Sequence, residues 1–304
     1  MRVRFWGVRG SFPVAHPRVF QVGGNSSCVE VACEGAPRVI LDAGTGLRPL
    51  GKALMKEPEF AEGRGEGALL ISHTHWDHIQ GFMFFEPFAV PGNHFTVYAR
   101  ATHDARVKSI FTEQASETYF TRTFDSLQAD FSWRAVSEQS KFSIGPIEVR
   151  TARLNHPGVA VAYRLDHAGS SVVYVTDTAP YDDQLLGDGF HIRRPSESPA
   201  VLELIQEYQE KLVELCRDVD LMIYDTFFTM EQYQLNPHWG HSTPERGIAL
   251  ARESGARQFY FFHHHPEAWD DELIARVESY DERYGDDSLS IRLAREGLSV
   301  ELAK

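Results

Sequence analysis

Residues 68–79 read Ala68-Leu69-Leu70-Ile71-Ser72-His73-Thr74-His75-Trp76-Asp77-His78-Ile79. The apolar run 68–71 reads as a buried strand. Three of the chain's 14 histidines, with one carboxylate, follow within positions 73–78. In extended geometry His73 and His75 leave the same face of the chain, and Asp77 and His78 reach back from the start of the next helix. Imidazole nitrogen and carboxylate oxygen are good ligands for zinc, and also for manganese or iron. Four such groups on one short loop repel or desolvate badly when buried without a cation. The bland alternative is a polar loop with coincidental histidines.

The H-x-H-x-D-H spacing resembles the signature of the metallo-β-lactamase superfamily. That resemblance implies an α/β fold, a four-layer αββα sandwich of two mixed sheets flanked by helices. Working outward, residues 3–8 read as a first strand rather than a signal peptide, and 9–27 as a long loop. Residues 28–32 and 38–41 read as a hairpin, 49–55 as a helix and 57–67 as loop. A helix is expected from about 79, a short strand at 97–99, and a helical stretch over 103–130 striped with Phe111, Tyr119, Phe120 and Phe124. Strands follow at 133–136, 147–154, 159–165 and 172–176, then an irregular insertion at 180–199 and an amphipathic helix at 200–217. The last expected elements are a strand at 221–224, a helix at 244–253 closed by Gly255, a strand at 259–262, a helix at 271–280 and a strand near 289–293. Strands and helices given twice fit two packed sheets. The expectation is one domain over 1–304, with insertions near 100–132 and 180–217.

The composition narrows the function. A formal net charge of −13 over 304 residues disfavours a surface built for long nucleic acid, though not a small phosphate ester held by metal ions. No apolar stretch is long enough to span a membrane, and no repeat or low-complexity segment stands out. Three cysteines make no disulfide framework, which fits the cytoplasm. Cys28 and Cys33 read as small strand residues, and Cys216 sits on an apolar helix.

Each further candidate follows an expected strand. His156, in Asn155-His156-Pro157-Gly158, is a ligand or a turn histidine. Asp177 ends the apolar run 172–176; it resembles the family's bridging aspartate, the alternative being a helix cap. His263 ends Phe259-Tyr260-Phe261-Phe262 and matches the family's last histidine, with a slip of two to His265 left open. The resemblance then implies that His73, His75 and His156 hold one metal and Asp77, His78 and His263 a second, with Asp177 between them. The two divalent ions would be zinc in the first instance, with manganese or iron as alternatives. Asp42, in Leu41-Asp42-Ala43-Gly44, resembles an aspartate that orients the metal-binding loop behind the ligands; the alternative is an Asx turn.

Gly240-His241-Ser242-Thr243-Pro244-Glu245 narrows the chemistry. Ser242 with Glu245 forms a capping box and Pro244 suits a first helical turn, which leaves His241 unexplained. G-H-S-T resembles the tRNase Z and cyclic phosphodiesterase branch, in which the histidine protonates the leaving oxygen. Asp225 stands near the place of that branch's glutamate and is a candidate to orient His241. Asp77, His241 and Asp225 are therefore the catalytic candidates. The resemblance implies hydrolysis of a phosphodiester by a metal-bridging hydroxide, with a histidine supplying the proton to the departing alkoxide.

Only twenty residues separate His156 from Asp177, so the long arm that tRNase Z enzymes carry there has no room. Together with the acidic charge, this favours a small cyclic phosphodiester, a cyclic nucleotide or a ribosyl cyclic phosphate. The competing readings are an RNA 3′-processing nuclease, a carboxyl-ester, lactone or lactam hydrolase, and a metal-bearing sensory protein without turnover. The aromatic segments 82–88 and 111–133 read as core or as a homodimer contact, with a base pocket as the alternative. His16, His94, His103, His167, His191 and His238 read as surface or loop residues.

Overall fold

The computed structural model describes residues 1–302 apart from 119, 122, 182–183, 188–191 and 194–198. Tyr119, His191 and much of the expected insertion at 180–199 lie outside the described residues. The first half of the chain runs β1 (Arg2–Gly7), β2 (Cys28–Ala32), β3 (Arg38–Leu41), α1 (Leu47–Leu54), α2 (Pro58–Ala61), β4 (Glu66–Ile71), α3 (Trp76–Ile79), β5 (His94–Arg100), α4 (Asp104–Gln114) and β6 (Asp130–Val136). The second half runs β7 (Lys141–Ile144), β8 (Ile147–Arg153), β9 (Val161–His167), β10 (Ser170–Val175), the short pair β11 (Leu185–Leu186) and β12 (Ile192–Arg193), α5 (Pro199–Cys216) and β13 (Leu221–Asp225). It ends with α6 (Met230–Leu235), α7 (Pro244–Ser254), β14 (Gln258–Phe262), α8 (Asp270–Tyr284), β15 (Ser290–Leu293) and β16 (Ser299–Glu301).

Two seven-stranded sheets carry the fold, in the orders β16-β1-β2-β3-β4-β5-β6 and β15-β14-β13-β10-β9-β8-β7. In the first, pairing is antiparallel from β16 to β3 and parallel from β3 to β6. The second repeats the scheme, antiparallel from β7 to β10 and parallel from β10 to β15. The strand at which the pairing changes is the central one in both, β3 and β10.

The apolar runs of these strands are continuous because both faces are covered. Val39, Leu41, Ala68 and Leu70 point between the sheets, where they meet Val172, Tyr174, Leu221, Ile223 and Phe262. The alternate residues Ile40, Leu69 and Ile71 pack outward with Leu47, Leu50, Phe82, Phe88 and Phe111. On the far side Val173, Val175, Met222 and Phe261 pack with Leu212, Leu215, Ile248 and Val277 of the covering helices. Three apolar layers make a four-layer αββα sandwich. No helix among the described residues is long and apolar enough to cross a membrane.

Several local expectations are corrected, among them the capping box of Ser242 with Glu245: Thr243 is the N-cap residue of α7, and the Ser242 hydroxyl meets that of Tyr224 at 3.0 Å instead. The helix expected over 103–130 stops at Gln114, because the following Ser- and Thr-rich segment is poor in helix formers. His103 caps its start by accepting from the Arg106 amide. The helix expected from 79 is the single turn α3, and short 3-10 turns at Phe82–Phe84 and Glu86–Ala89 replace its continuation. The loop 57–67 holds α2, which buries Phe60. The edge strands β7 and β16 are short and mixed in polarity, and sequence patterning did not reveal them; α6, with its Thr229–Gln232 capping box, was also missed. Phe82, Phe85, Phe88 and Phe111 are buried in the layer behind the first sheet, so they cannot wall a base pocket.

Candidate metal centre

The expected ligands leave strand ends on one rim of the sandwich. Two of them, Asp177 at φ 27° and His263 at φ 57°, stand where the backbone turns left-handed, as does Asp42 at φ 58° behind them. This region costs a non-glycine residue on the order of 1 kcal/mol or more. Here the turn aims each side chain inward at the moment its strand ends. From the first sheet come His73, His75, Asp77 and His78; from the second come His156, Asp177 and His263. A ligand atom from each of His73, His75 and His156 lies within 4.8 Å of the others, and the same holds for Asp77, His78, Asp177 and His263.

Asp177 divides its two oxygens between these groups. Oδ1 is 3.2 Å from His78 Nε2 and 3.1 Å from His263 Nδ1. Oδ2 is 3.7 Å from His73 Nε2 and 3.8 Å from His156 Nε2. Asp77 Oδ2 lies 3.1 Å from His78 Nε2 and 3.3 Å from His263 Nε2, and accepts the Ser11 amide at 2.9 Å. His75 Nδ1 faces His156 Nε2 at 3.0 Å. All but His75 are buried, so the cluster opens to solvent on the His75 side.

Asp42 is fully buried and stands behind the cluster. Its Oδ1 accepts the Ser72 amide at 2.7 Å, and its Oδ2 accepts the Ser72 hydroxyl at 2.8 Å, His78 Nδ1–H at 2.7 Å and the Tyr174 hydroxyl at 2.8 Å. This network fixes tautomers. His78 donates from Nδ1, so its Nε2 keeps a lone pair for the cluster. Ser72 gives its proton to Asp42, so His73 Nδ1 donates to the Ser72 oxygen at 3.1 Å and Nε2 stays free. His156 Nδ1 donates to the Gly240 carbonyl at 2.7 Å, with the same result. Tyr174 therefore ties the second sheet to the metal-binding loop of the first. Tyr174→Phe is expected to weaken metal affinity about ten-fold, the lower end for loss of a partner behind the ligands. Chelator competition measures this; unchanged affinity would show that Asp42 keeps its place without the phenol.

His241 lies beside the cluster, 7% exposed. Its Nδ1 donates to Asp225 Oδ2 at 3.0 Å and is 3.9 Å from Asp177 Oδ2. Asp225 is itself held by the Thr178 and Phe227 amides. Burial opposes charge on His241, but Asp225, through charge and hydrogen bond, outweighs it and raises its pKa above the ordinary imidazole value. Phe227 stacks on the ring, 4.3 Å between centroids and 21° between planes. Gly240 joins this element to His156. At φ 82° a side chain is strained, and a Cβ would come within 2.5 Å of His156 Nδ1 and 2.4 Å of Pro157. Sequence reasoning named His241 but missed Gly240, Ser72, Tyr174 and Phe227, whose roles come from contacts across the sandwich. Gly240 alone left a signal, as the first residue of G-H-S-T.

The neighbouring histidines stand apart. His264 is buried and bonded to the Ala294 carbonyl, whereas His265 accepts the Glu267 amide and belongs to none of the ligand groups among the described residues. His263, not His265, faces the cluster. His16, His103 and His238 lie at the surface or in caps, His94 is half-buried in β5, and His167 ends β9.

The donor set fits divalent cations. His73 Nε2, His78 Nε2 and His263 Nδ1 are buried without a hydrogen-bond partner among the described residues, a costly state unless an ion takes the lone pairs. Burial pushes Asp77 up, but His78 and His263 pull harder and hold it at about 2. Burial holds His156 and His264 down at about 3. Burial likewise lowers His73, His75 and His265, whereas the surrounding carboxylates raise His78 and His241. In chelated protein a lowered histidine adds stability above the unfolded value of 6.5, and this is lost as pH falls toward 3. The two raised histidines act in the opposite sense, with stability greatest at low pH and lost as pH rises through their folded values. Five lowered against two raised gives a net loss in acid. The melting temperature of chelated protein is expected to fall between pH 7 and pH 4, by about 5 °C or more. A flat profile by thermal melts would count against neutral buried imidazoles.

Comparison with known proteins places this rim in a family. A model of the β-lactamase superfamily domain matches residues 37–191, half of the chain. The chain belongs to the metallo-β-lactamase superfamily. A ribonuclease Z of Bacillus velezensis is 21% identical over 215 residues, 64% of this chain and 68% of the relative. The metallo-β-lactamase fold protein YhfI from Bacillus subtilis superposes with a TM-score of 0.64 at 18% identity, covering 99% of each chain. A diphosphatase from the PhnP family gives 0.62 at 18% identity, covering 99% of this chain and 98% of that one. This metallo-β-lactamase-fold hydrolase thus carries a histidine–carboxylate cluster suited to divalent metal, on the rim where its two sheets meet.

Proposed function

We propose that this chain is a dinuclear metal-dependent phosphodiesterase cleaving a small cyclic phosphodiester, a cyclic nucleotide or ribosyl cyclic phosphate. The observation that carries the reading is the His241–Asp225 pair, 3.0 Å apart, beside the cluster. A hydrolase of lactams or thioesters has less need of such an acid than one expelling an alkoxide. His73, His75 and His156 would hold one ion and Asp77, His78 and His263 the other, with Asp177 placed between the two groups. Bound there, zinc, or manganese or iron in its place, would polarise phosphoryl oxygens and make hydroxide available at neutral pH. The chain does the rest. Asp225 accepts Nδ1–H and keeps the imidazole charged, Phe227 fixes the ring plane, and the proton on Nε2 passes to the leaving oxygen. Asp42 orients His78 and, through Ser72, His73. We take the chain as one domain over 1–304, supported by an inter-sheet core drawn from both halves. Free Cys28, Cys33 and Cys216 support a reducing, cytoplasmic setting.

The test is metal analysis of the purified protein alongside a screen of 2′,3′- and 3′,5′-cyclic nucleotides, lactones, carboxyl esters and precursor tRNA. Two equivalents of divalent metal and chelator-sensitive turnover of a cyclic phosphodiester are expected. Cleavage of precursor tRNA without cyclic nucleotide turnover would replace this reading with RNA processing, which the ribonuclease Z relative favours. Turnover of lactones or carboxyl esters alone would remove the role of His241. A metal-filled protein inert on every ester would point to sensing.

A further inference from the structure

Most aromatics of segments 82–88 and 111–133, read as core or dimer contact with a base pocket as the alternative, are core, yet some large aromatics of the chain are exposed. Among the described residues these are Phe12, Phe20, Trp76, Phe84 and Trp239. Isolated exposed aromatics need no explanation. Three of these five, however, are adjacent in sequence to residues that grip the cluster. Trp76, 67% exposed, lies between His75 and Asp77. Trp239, 48% exposed, precedes Gly240, whose carbonyl holds His156, and His156 faces His75 at 3.0 Å. The two tryptophans are therefore each next in sequence to a residue that makes or holds one histidine–histidine contact, and both are largely exposed. Phe12, 56% exposed, follows Ser11, whose amide donates to Asp77 Oδ2. That loop lies against His263 so closely that a Cβ on Gly10 would come within 2.6 Å of the ring. Phe228 backs Trp239 at 5.9 Å between centroids.

We propose that Phe12, Trp76 and Trp239 form an aromatic rim that stacks on the planar base of the substrate, which makes the substrate a nucleotide phosphodiester rather than a sugar or lipid ester. The proposal rests on the phosphodiesterase reading for the position of the phosphate. The cluster takes the anionic ester, and the rim takes a flat, apolar group attached to it. A chain with a net charge of −13 offers little to the further phosphates of a polymer, so the ligand is a single nucleotide unit.

Two measurements test the rim. The first compares kcat/KM for adenosine 2′,3′-cyclic phosphate with that for glycerol cyclic phosphate, which has no base. Trp76→Ala and Trp239→Ala are each expected to lower the ratio about ten-fold, mainly through KM, as loss of one base–aromatic stack implies. Trp239→Phe is expected to restore most of it. The second is quenching of tryptophan fluorescence by adenosine 5′-monophosphate, with ribose 5-phosphate as the base-free control. Saturable quenching by the nucleotide alone, lost in the double alanine variant, is the expected result. An unchanged ratio, or equal quenching by ribose 5-phosphate, overturns the rim. Saturation by an RNA oligonucleotide at a concentration at least about ten-fold lower than the mononucleotide overturns the single-nucleotide assignment. Base-dependent quenching in a protein that cleaves no phosphodiester upholds the rim and removes the catalytic reading on its own.

Discussion

Asp177→Asn is expected to leave less than one equivalent of metal on the protein and to lower kcat/KM for a cyclic phosphodiester about a thousand-fold or more, since the ions are worth several kcal/mol to the transition state. The amide keeps the shape of the carboxylate and removes its charge. Asp177 Oδ1 faces His78 and His263, and Oδ2 faces His73 and His156, so one substitution deprives both groups of their shared anion. Burial pushes this carboxyl up, but His263, His78 and His73 pull it well below the usual carboxylate range, so it is ionised. Elemental analysis and steady-state kinetics on the same preparation give the answer. A variant with two equivalents of metal and wild-type turnover would end the assignment of Asp177 as the residue between two ions.

His241→Ala tests the second largest effect, on chemistry rather than on metal. For a substrate expelling an alkoxide, kcat is expected to fall about a thousand-fold with metal content intact. For bis-p-nitrophenyl phosphate the loss is expected to be about ten-fold or less, because p-nitrophenolate departs without a proton. The contrast between leaving groups separates proton donation from disturbance of the neighbouring ions, which would slow both substrates alike. Asp225→Asn should follow the same pattern at smaller amplitude, since it acts through the imidazole at 3.0 Å. Equal losses on both substrates would reassign His241 to binding.

The metal-binding loop was readable because its ligands lie within 73–78, and the strand-end residues because each closes an apolar run. Asp42, Asp177 and His263 belong to this second kind, whereas His156 follows a strand of mixed polarity, Ile147–Arg153. Asp225 was harder to read, since nothing near it in sequence indicates that His241, sixteen positions on, donates to it at 3.0 Å. Tyr174 was hidden for the opposite reason: in Val172-Val173-Tyr174-Val175 it reads as one more buried strand residue, and only the facing sheet supplies the aspartate its hydroxyl meets. The helix expected over 103–130 was overextended because its aromatic stripe masked the Ser- and Thr-rich composition that ends it at Gln114. Phe120 and Phe124 pack against the layer behind the first sheet from outside the α-helix, Phe124 from a short 3-10 turn. The aromatic rim was illegible for a related cause, because a tryptophan in a sequence carries no mark of facing water.

The matched strand orders of the two sheets have a consequence for how the rim is used. β3 and β10 hold equivalent central places, and each is followed by an aspartate in a left-handed turn, Asp42 or Asp177. One is saturated by donors from serine, tyrosine and histidine; the other meets chiefly imidazoles. Duplicate architecture thus gives its two aspartates unlike surroundings, one tied into the hydrogen bonds of the loop and the other turned toward the histidine cluster. Because Asp42 is sealed off behind the cluster while Asp177 lies within it, the two-fold likeness of the frame stops at the backbone, and the rim offers the free carboxylate of one half only.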